Sequence, residues 1–301
     1  MKLLRSYLFA PGNNEGLLDK VFRAGADAVV LDLEDAVPEP EKERARACVR
    51  VALGHLGDTR GERPGAPVFV RINSLASAHW RLDVSAAVGP GVAGIRVPKA
   101  ESLESLCRLS DAIAERERAT GLAPGSIGVV ATIESARGIT GVDEIARGPR
   151  VMGFTFGAAD FCADVGADAG DDASTLHARS MIVAVSRARR LPSPVAAVFT
   201  RLDDDTALFE DSRRQRDLGF FGRSAIHPRQ VPVIHRAFDP TAEEAASARE
   251  TIRAYEAALG AGSGATRAGS LFVDAAMVRK ARALVDLYEE RVAQAQVVDR
   301  P

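Results

Sequence analysis

Cysteine is sparse in this chain of 301 residues: only Cys48, Cys107 and Cys162, far apart. Such spacing writes neither a zinc knuckle nor a disulfide framework, and an odd count fits a reducing cytoplasm. Excess charge of either sign is also missing. The 39 basic residues face 41 acidic ones, a formal net charge of −2, so no global basic field exists to hold nucleic acid by counterion release. Long apolar runs are absent too. No stretch approaches the ~20 apolar residues of a membrane-spanning helix, and Arg5 breaks the short apolar start, which argues against a secretory signal. Lysine is rare beside arginine; Lys2, Lys20, Lys42, Lys99 and Lys280 are the full set, so a lysine at a strand end stands out. What remains is ordinary globular composition, 46% hydrophobic and 27% charged, unlike disorder, collagen or coiled coil. The expectation is a cytoplasmic protein that meets neither membrane nor nucleic acid.

Short apolar, β-branched runs recur between longer amphipathic stretches. They predict eight strands, at residues 6–9, 28–33, 68–72, 93–97, 129–133, 152–156, 195–199 and 221–226. Each run is nearly continuous in apolar residues, as parallel strands covered on both faces are. Helical patterns fill the gaps, for example at 14–24, 40–53, 103–118, 175–188 and 206–218. Eight β-then-α units in about 235 residues predict an α/β fold, a (β/α)8 TIM barrel. A Rossmann-like sheet is the runner-up, but no G-x-G-x-x-G follows the first strand. The barrel is expected to occupy residues 1–238. Residues 239–301 read as a C-terminal helical extension: a helix at 241–259, a Gly/Ser/Ala-rich link at 260–269 with flexible-linker composition, and a last helix at 275–293. A barrel closes without such a tail, so its expected use is subunit docking or covering a site.

In a barrel the reacting side chains sit at the C-terminal strand ends and in the adjoining loops. Those positions hold Glu34 and Asp35, Arg71, Lys99, Glu134, Asp160 and His227. Glu134 and Asp160 are the pair best suited to a hard cation, because Mg2+ takes one or two carboxylates plus water and substrate oxygens. Either residue would also serve as a helix cap. Glu34 and Asp35 read as groups that orient metal-bound water, or as a cap or an ion pair. Arg71 lies inside an apolar strand, where an unpaired guanidinium is costly to bury. Its planar fork suits a carboxylate, from a substrate or from Glu34 or Asp35. Lys99 follows Pro98 and is open to a Schiff base or, more blandly, to an ion pair. His227, before Pro228, is the one histidine at a rim position. The segment Phe9-Ala10-Pro11-Gly12-Asn13-Asn14 could bring backbone N–H groups to a phosphate, without any Walker pattern. Cys162 has no histidine in its local sequence, which disfavours a cysteine nucleophile.

Several segments together resemble the citrate lyase beta-subunit-like family, which includes malyl-CoA and citramalyl-CoA lyases. They are Arg5-Ser6-Tyr7-Leu8-Phe9-Ala10-Pro11-Gly12, Leu31-Asp32-Leu33-Glu34-Asp35-Ala36-Val37, Val70-Arg71-Ile72-Asn73, Val97-Pro98-Lys99, Ile133-Glu134-Ser135-Ala136-Arg137-Gly138, Gly157-Ala158-Ala159-Asp160-Phe161 and Ala225-Ile226-His227-Pro228-Arg229-Gln230. They run in family order and cover nearly the whole chain. The resemblance implies a (β/α)8 barrel that assembles as a homotrimer or a dimer of trimers. It implies Mg2+ (or Mn2+) on Glu134 and Asp160, and an Arg71 that neutralises the oxo-acid end. Phe9, Lys20, Ala159, Ile226 and His227 fall where relatives touch the CoA thioester. The segment Ser270-Leu271-Phe272-Val273-Asp274-Ala275 looks like the one whose aspartate reaches a neighbouring subunit's site. Two positions depart from the pattern: Asn14 stands where malyl-CoA lyases carry a basic residue, and Arg201 where many relatives have an acidic one.

The implied reaction is Mg2+-dependent cleavage of a 3-hydroxy-dicarboxyl CoA thioester, malyl-CoA or citramalyl-CoA, to acetyl-CoA and a 2-oxo acid, glyoxylate or pyruvate. Asp274 is the expected proton-transfer group, with Arg71, Glu34 and Asp35 in the catalytic set. Three competitors stay open: a malyl-CoA thioesterase, the citryl-carrier-protein lyase beta subunit of a citrate lyase complex, and a metal-dependent sugar-acid aldolase without CoA.

Overall fold

The structure is a computed structural model and describes residues 4–58, 65–168, 172–269 and 271–298. Two compact units divide it, residues 1–238 and 239–301. The first alternates short apolar strands with helices: β1 (Ser6–Pro11), α1 (Glu15–Val21), β2 (Ala28–Asp32), α2 (Lys42–Asp58), β3 (Val68–Arg71), α3 (Trp80–Ala87), β4 (Val92–Val97), α4 (Leu103–Thr120), β5 (Gly128–Ile133), α5 (Ala136–Thr140), α6 (Val142–Ile145), β6 (Val151–Phe156), α7 (Ala158–Val165), α8 (Asp172–Ala188), α9 (Asp205–Leu218), β7 (Arg223–Ala225) and α10 (Gln230–Phe238). The helices begin and end where the sequence supplies caps. Ser102 accepts the Ser105 N–H at 3.2 Å to start α4, and Gly121, in the left-handed region at φ 70°, ends it.

A strand such as β2, with all five residues buried, must be covered on both faces, and the sheet is accordingly parallel throughout. Its order is β6-β5-β4-β3-β2-β1-β7. The register lines up charge across the sheet: Pro11 pairs with Asp32, Asp32 with Arg71, and Arg71 with Arg96, one row across four strands. Gly12 fixes the end of β1 against β2, because its N–H donates to Asp32 O at 2.8 Å and a Cβ there would lie 2.6 Å from that oxygen.

The closed eight-stranded (β/α)8 barrel expected from the sequence is corrected by this topology. The sheet has seven strands, a TIM-like half-barrel. Residues 195–199 form no strand and contribute two isolated parallel bridges, Thr155 with Val195 and Ala196 with Arg223. The run is apolar enough to look like a strand, and Val195 and Ala196 donate to Phe154 O and Gly222 O, each at 2.9 Å, but the pairing does not continue through residues 197–199. On the other side, Gly222 takes φ 87° and β7 keeps three residues instead of the six expected.

The second unit holds α11 (Ala242–Gly260), β8 (Thr266–Ala268), β9 (Leu271–Val273) and α12 (Ala275–Val298). A full capping box between Thr241 and Glu244 starts α11. The stretch whose composition suggested a flexible link is partly an antiparallel hairpin, with Thr266 opposite Val273 and Gly269 at φ 60°. Ser270 lies outside the described residues. Among the described residues, no helix is long and apolar enough to cross a membrane.

Candidate active site

The row Asp32–Arg71–Arg96 places charge where the strands end. Asp32 is fully buried at the end of β2, and Arg71 beside it donates from Nε to Oδ1 at 2.7 Å and from Nη2 to Oδ2 at 2.6 Å. This is the two-toothed guanidinium–carboxylate geometry. Arg71 Nη1 also lies 2.8 Å from Glu34 Oε2 and 3.5 Å from Asp35 Oδ2. All three guanidinium nitrogens thus face the chain's own carboxylates, through four contacts. Burial pulls the Arg71 pKa down, but the hydrogen bond and charge of Asp32 outweigh it, so the group stays charged. Glu34 is held the other way: burial pushes its carboxyl up to about 8 against the pull of Arg71, with Asp35, Glu134 and Asp32 adding like charge.

Glu134, Lys99 and Asp160 form the adjoining part of the rim. Glu134 directly follows β5 and is buried; Asp160 sits half-buried in the first turn of α7. Lys99 follows β4 in a left-handed conformation, φ 47°, uncommon for a side-chain-bearing residue. That turn aims its N–H at Glu134 Oε1, 2.7 Å away, while its Nζ lies 3.5 Å from Asp160 Oδ1. Strain at such a position is commonly kept for a site. Burial raises the Glu134 carboxyl to about 7; the Lys99 N–H lowers it and the charge of Asp160 raises it. Glycine is obligatory at 157, since a Cβ there would overlap Glu134 Oε2.

Beneath the rim, Arg96 is 3% exposed and lies against the Phe9 ring, 5.1 Å from its centroid, as does Arg71. Its Nη2 donates to Thr155 Oγ1 and to Ser224 Oγ, the latter at 2.9 Å. Burial lowers its pKa to about 10, still well above neutrality. Five carboxylates (Asp32, Glu34, Asp35, Glu134, Asp160) therefore share this region with three cations (Arg71, Arg96, Lys99), two more negative than positive charges if all are ionised. Burial is the main upward pressure on Glu34 and Glu134 and like charge adds to it; a divalent cation nearby would favour the ionised carboxylates. Among the described residues no group of three or more His, Cys, Asp or Glu side chains is arranged to hold a metal ion. Carboxylates such as Glu134 and Asp160 could hold a hard cation such as Mg2+ only with water and substrate oxygens completing the shell.

The remaining residues expected at the site are more dispersed. Phe9 lies in β1 under the two guanidinium groups, and Ala159 is exposed in the first turn of α7. Ile226 is 42% exposed just past β7; its N–H and that of His227 both donate to Gln230 Oε1, at 2.9 and 3.3 Å. His227 Nδ1 accepts the Arg229 N–H at 3.2 Å. Lys20 is exposed in the last turn of α1. Asp274 lies in the second unit, where its Oδ1 accepts the N–H groups of Ala276 and Met277 at 2.9 and 3.0 Å and so caps α12. Sequence reasoning passed over Asp32 and Arg96. The available signal was a charged residue inside each of two apolar strands, the same signal that singled out Arg71.

A charged rim at the carboxyl edge of a parallel sheet defines a class, the TIM-like α/β enzymes, whose chemistry occurs where the strands end. Within that class the chain belongs to the HpcH/HpaI aldolase/citrate lyase family, whose pattern matches residues 5–228. Citrate lyase subunit beta of Leuconostoc mesenteroides subsp. cremoris is 33% identical over 288 residues, spanning 95% of this chain and 93% of that one. The L-malyl-CoA/beta-methylmalyl-CoA lyase of Cereibacter sphaeroides is 34% identical over 304 residues, 93% of each chain. Among solved structures, protein CitE from Mycobacterium tuberculosis, in complex with magnesium, acetoacetate and coenzyme A, superposes with a TM-score of 0.76 at 28% identity, over 95% of this chain and 98% of that one.

Proposed function

We propose that the chain is a Mg2+-dependent carbon–carbon lyase that cleaves, or in reverse forms, a 3-hydroxy-dicarboxyl CoA thioester such as malyl-CoA or citramalyl-CoA, giving acetyl-CoA and glyoxylate or pyruvate. One observation carries the reading: Glu134 and Asp160, both tied to Lys99, sit on a rim with an excess of carboxylates over cations. Its support is the likeness to a malyl-CoA lyase and to a CoA-bound, magnesium-bound structure. A divalent ion on that pair would acidify the substrate hydroxyl and polarise the ketone as a Lewis acid.

The chain's own groups do the rest. Arg71, held rigid by Asp32, neutralises the carboxylate of the oxo-acid end. Glu34 and Asp35 position Arg71 and water beside it. Phe9, Lys20, Ala159, Ile226 and His227 take the thioester arm of CoA. Donors at the thioester oxygen stabilise the enolate left by cleavage. Asp274 from a second copy, in a trimer or dimer of trimers, moves a proton to or from the acetyl carbon.

The test is a mixture of purified protein, Mg2+ and malyl-, methylmalyl- or citramalyl-CoA, with released oxo acid trapped by phenylhydrazine. Oxo acid from at least one thioester is expected, and none without metal. Release of free CoA with malate intact would instead identify a thioesterase. A second reading, a beta subunit acting on a citryl carrier protein, is favoured by the 33% identity to citrate lyase subunit beta. Cleavage of the carrier-bound acyl group with no turnover of the CoA ester would decide for it.

A further inference from the structure

Beside the carboxylate rim, with Phe156 and Ala158 on its edge, a cavity of about 450 Å3 lies among residues 197–201, α8, α9 and β7. Four arginines line it, Arg179, Arg201, Arg214 and Arg223, against two carboxylates, Asp172 and Asp211. Arginines therefore outnumber carboxylates in the lining by two, and Asp204, 3.7 Å from Arg201 just outside it, offsets part of that excess.

Two of the arginines are interior. Arg179 is 3% and Arg223 2% exposed, and the Nε of each is buried without a hydrogen-bond partner. An orphaned, buried guanidinium N–H is expensive to maintain unless something accepts from it. Asp211 neutralises only part of the cluster, because it is shared: Arg223 pairs with its Oδ2, and Arg214 lies 3.2 Å from its Oδ1. Arg179 pairs with Asp172 at 2.7 Å. Burial lowers the Arg223 pKa, Asp211 raises it, and Arg214 and Arg179 lower it further, so the three guanidinium groups crowd one another. The Phe199 ring closes one wall, 5.2 Å from Arg201 and 5.9 Å from Arg223. Gln215, 7% exposed, adds an amide to the lining.

We propose that this cavity is a second binding site, which takes a small dianion with several acceptor oxygens. The surplus of guanidinium groups and the two buried, unpartnered Nε atoms suit such a ligand, and guanidinium forks fit the planar or tetrahedral oxygens of carboxylate and phosphate alike. The volume is in the range of small-molecule pockets. None of its four arginines belongs to the rim, so its ligand would contact groups other than those assigned to the lyase reaction.

The experiment uses metal-free protein, so that the rim carries no ion, and titrates inorganic phosphate and, separately, succinate by calorimetry. Wild type is expected to bind at least one of the two with a saturable, one-to-one isotherm. The double variant Arg201→Ala, Arg214→Ala removes the two exposed charges and leaves the buried pairs of Arg179 and Arg223 intact. It should bind at least tenfold more weakly at unchanged thermal midpoint, whereas Asp160→Asn should bind as wild type does. The tighter of phosphate and succinate identifies which kind of dianion the site prefers. No saturable binding of either ion by wild type, or equal affinity in the double variant, would overturn the proposal.

Discussion

At the scale of single residues, the rim works through fixed pairings rather than through any one unusual group. Asp160 is half-exposed and contributes little packing, so its loss should damage chemistry and spare the fold. Asp160→Ala is expected to lower Mg2+-dependent oxo-acid release by at least ~100-fold, on the scale of losing one preorganised electrostatic group, with an unchanged melting curve. Wild-type turnover in that variant would remove the metal assignment. Gly157→Ala attacks the same pair from behind. The new methyl would overlap Glu134 Oε2, so the carboxylate must rotate away from the Lys99 N–H. Overpacking of this kind costs ~1–3 kcal/mol, measurable by urea denaturation. Calorimetric Mg2+ titration should show weakened binding, and unweakened binding would mean that Glu134 is not a ligand.

At the scale of elements, α4 is tied to β5 and β6 through one carboxylate. Glu117 is 1% exposed and accepts the Gly125 and Ile127 N–H groups, each at 3.0 Å, and both Arg150 Nη groups at 2.8 Å. Burial would raise its pKa, but Arg150 and the two backbone donors outweigh it and hold the carboxyl at about 2 against an ordinary 4.5. A folded-state value below the unfolded one stabilises the protein above the unfolded pKa, and the contribution is lost as pH falls toward about 2. Glu117→Gln should therefore cost ~3–5 kcal/mol near neutrality, the penalty for breaking a buried pair. It should also flatten the stability–pH curve on its acid limb, as read by urea midpoints across that range. How far the sequence foretold these elements depends on the information each residue pattern encodes. Apolar runs such as residues 28–33 specify buried parallel strands because they leave no solvated face. The run at 195–199 carries the same pattern, yet a ladder also needs partner edges that keep register along its length, and here pairing stops after Ala196; hydropathy is blind to that. Glu134, Asp160 and Arg71 stood out by falling at strand ends; Asp32 and Arg96 did not, since their meaning lies in a cross-strand register that periodicity does not contain.

At the scale of the whole molecule, Asp274 tests whether the proposed reaction needs more than one copy of the chain. In its own unit it caps α12, a task that Asn performs nearly as well. Asp274→Asn should therefore keep its stability while losing turnover, because an amide cannot exchange a proton with the acetyl carbon. Asp160→Ala is expected to be inactive for a different reason, the loss of a proposed metal ligand. Neither variant alone contains a complete site if each site draws Asp274 from a neighbour. Co-refolded or co-expressed as a random mixture, they would recreate intact sites wherever an Asp274→Asn rim meets the Asp274 of an Asp160→Ala neighbour. In equal proportions that restores about a quarter of the wild-type rate in a closed ring of head-to-tail contacts. Sedimentation of the mixture reports whether mixed assemblies formed. If they form and the rate stays at background, Asp274 does not act across the interface; the cap it provides to α12 is then its whole function.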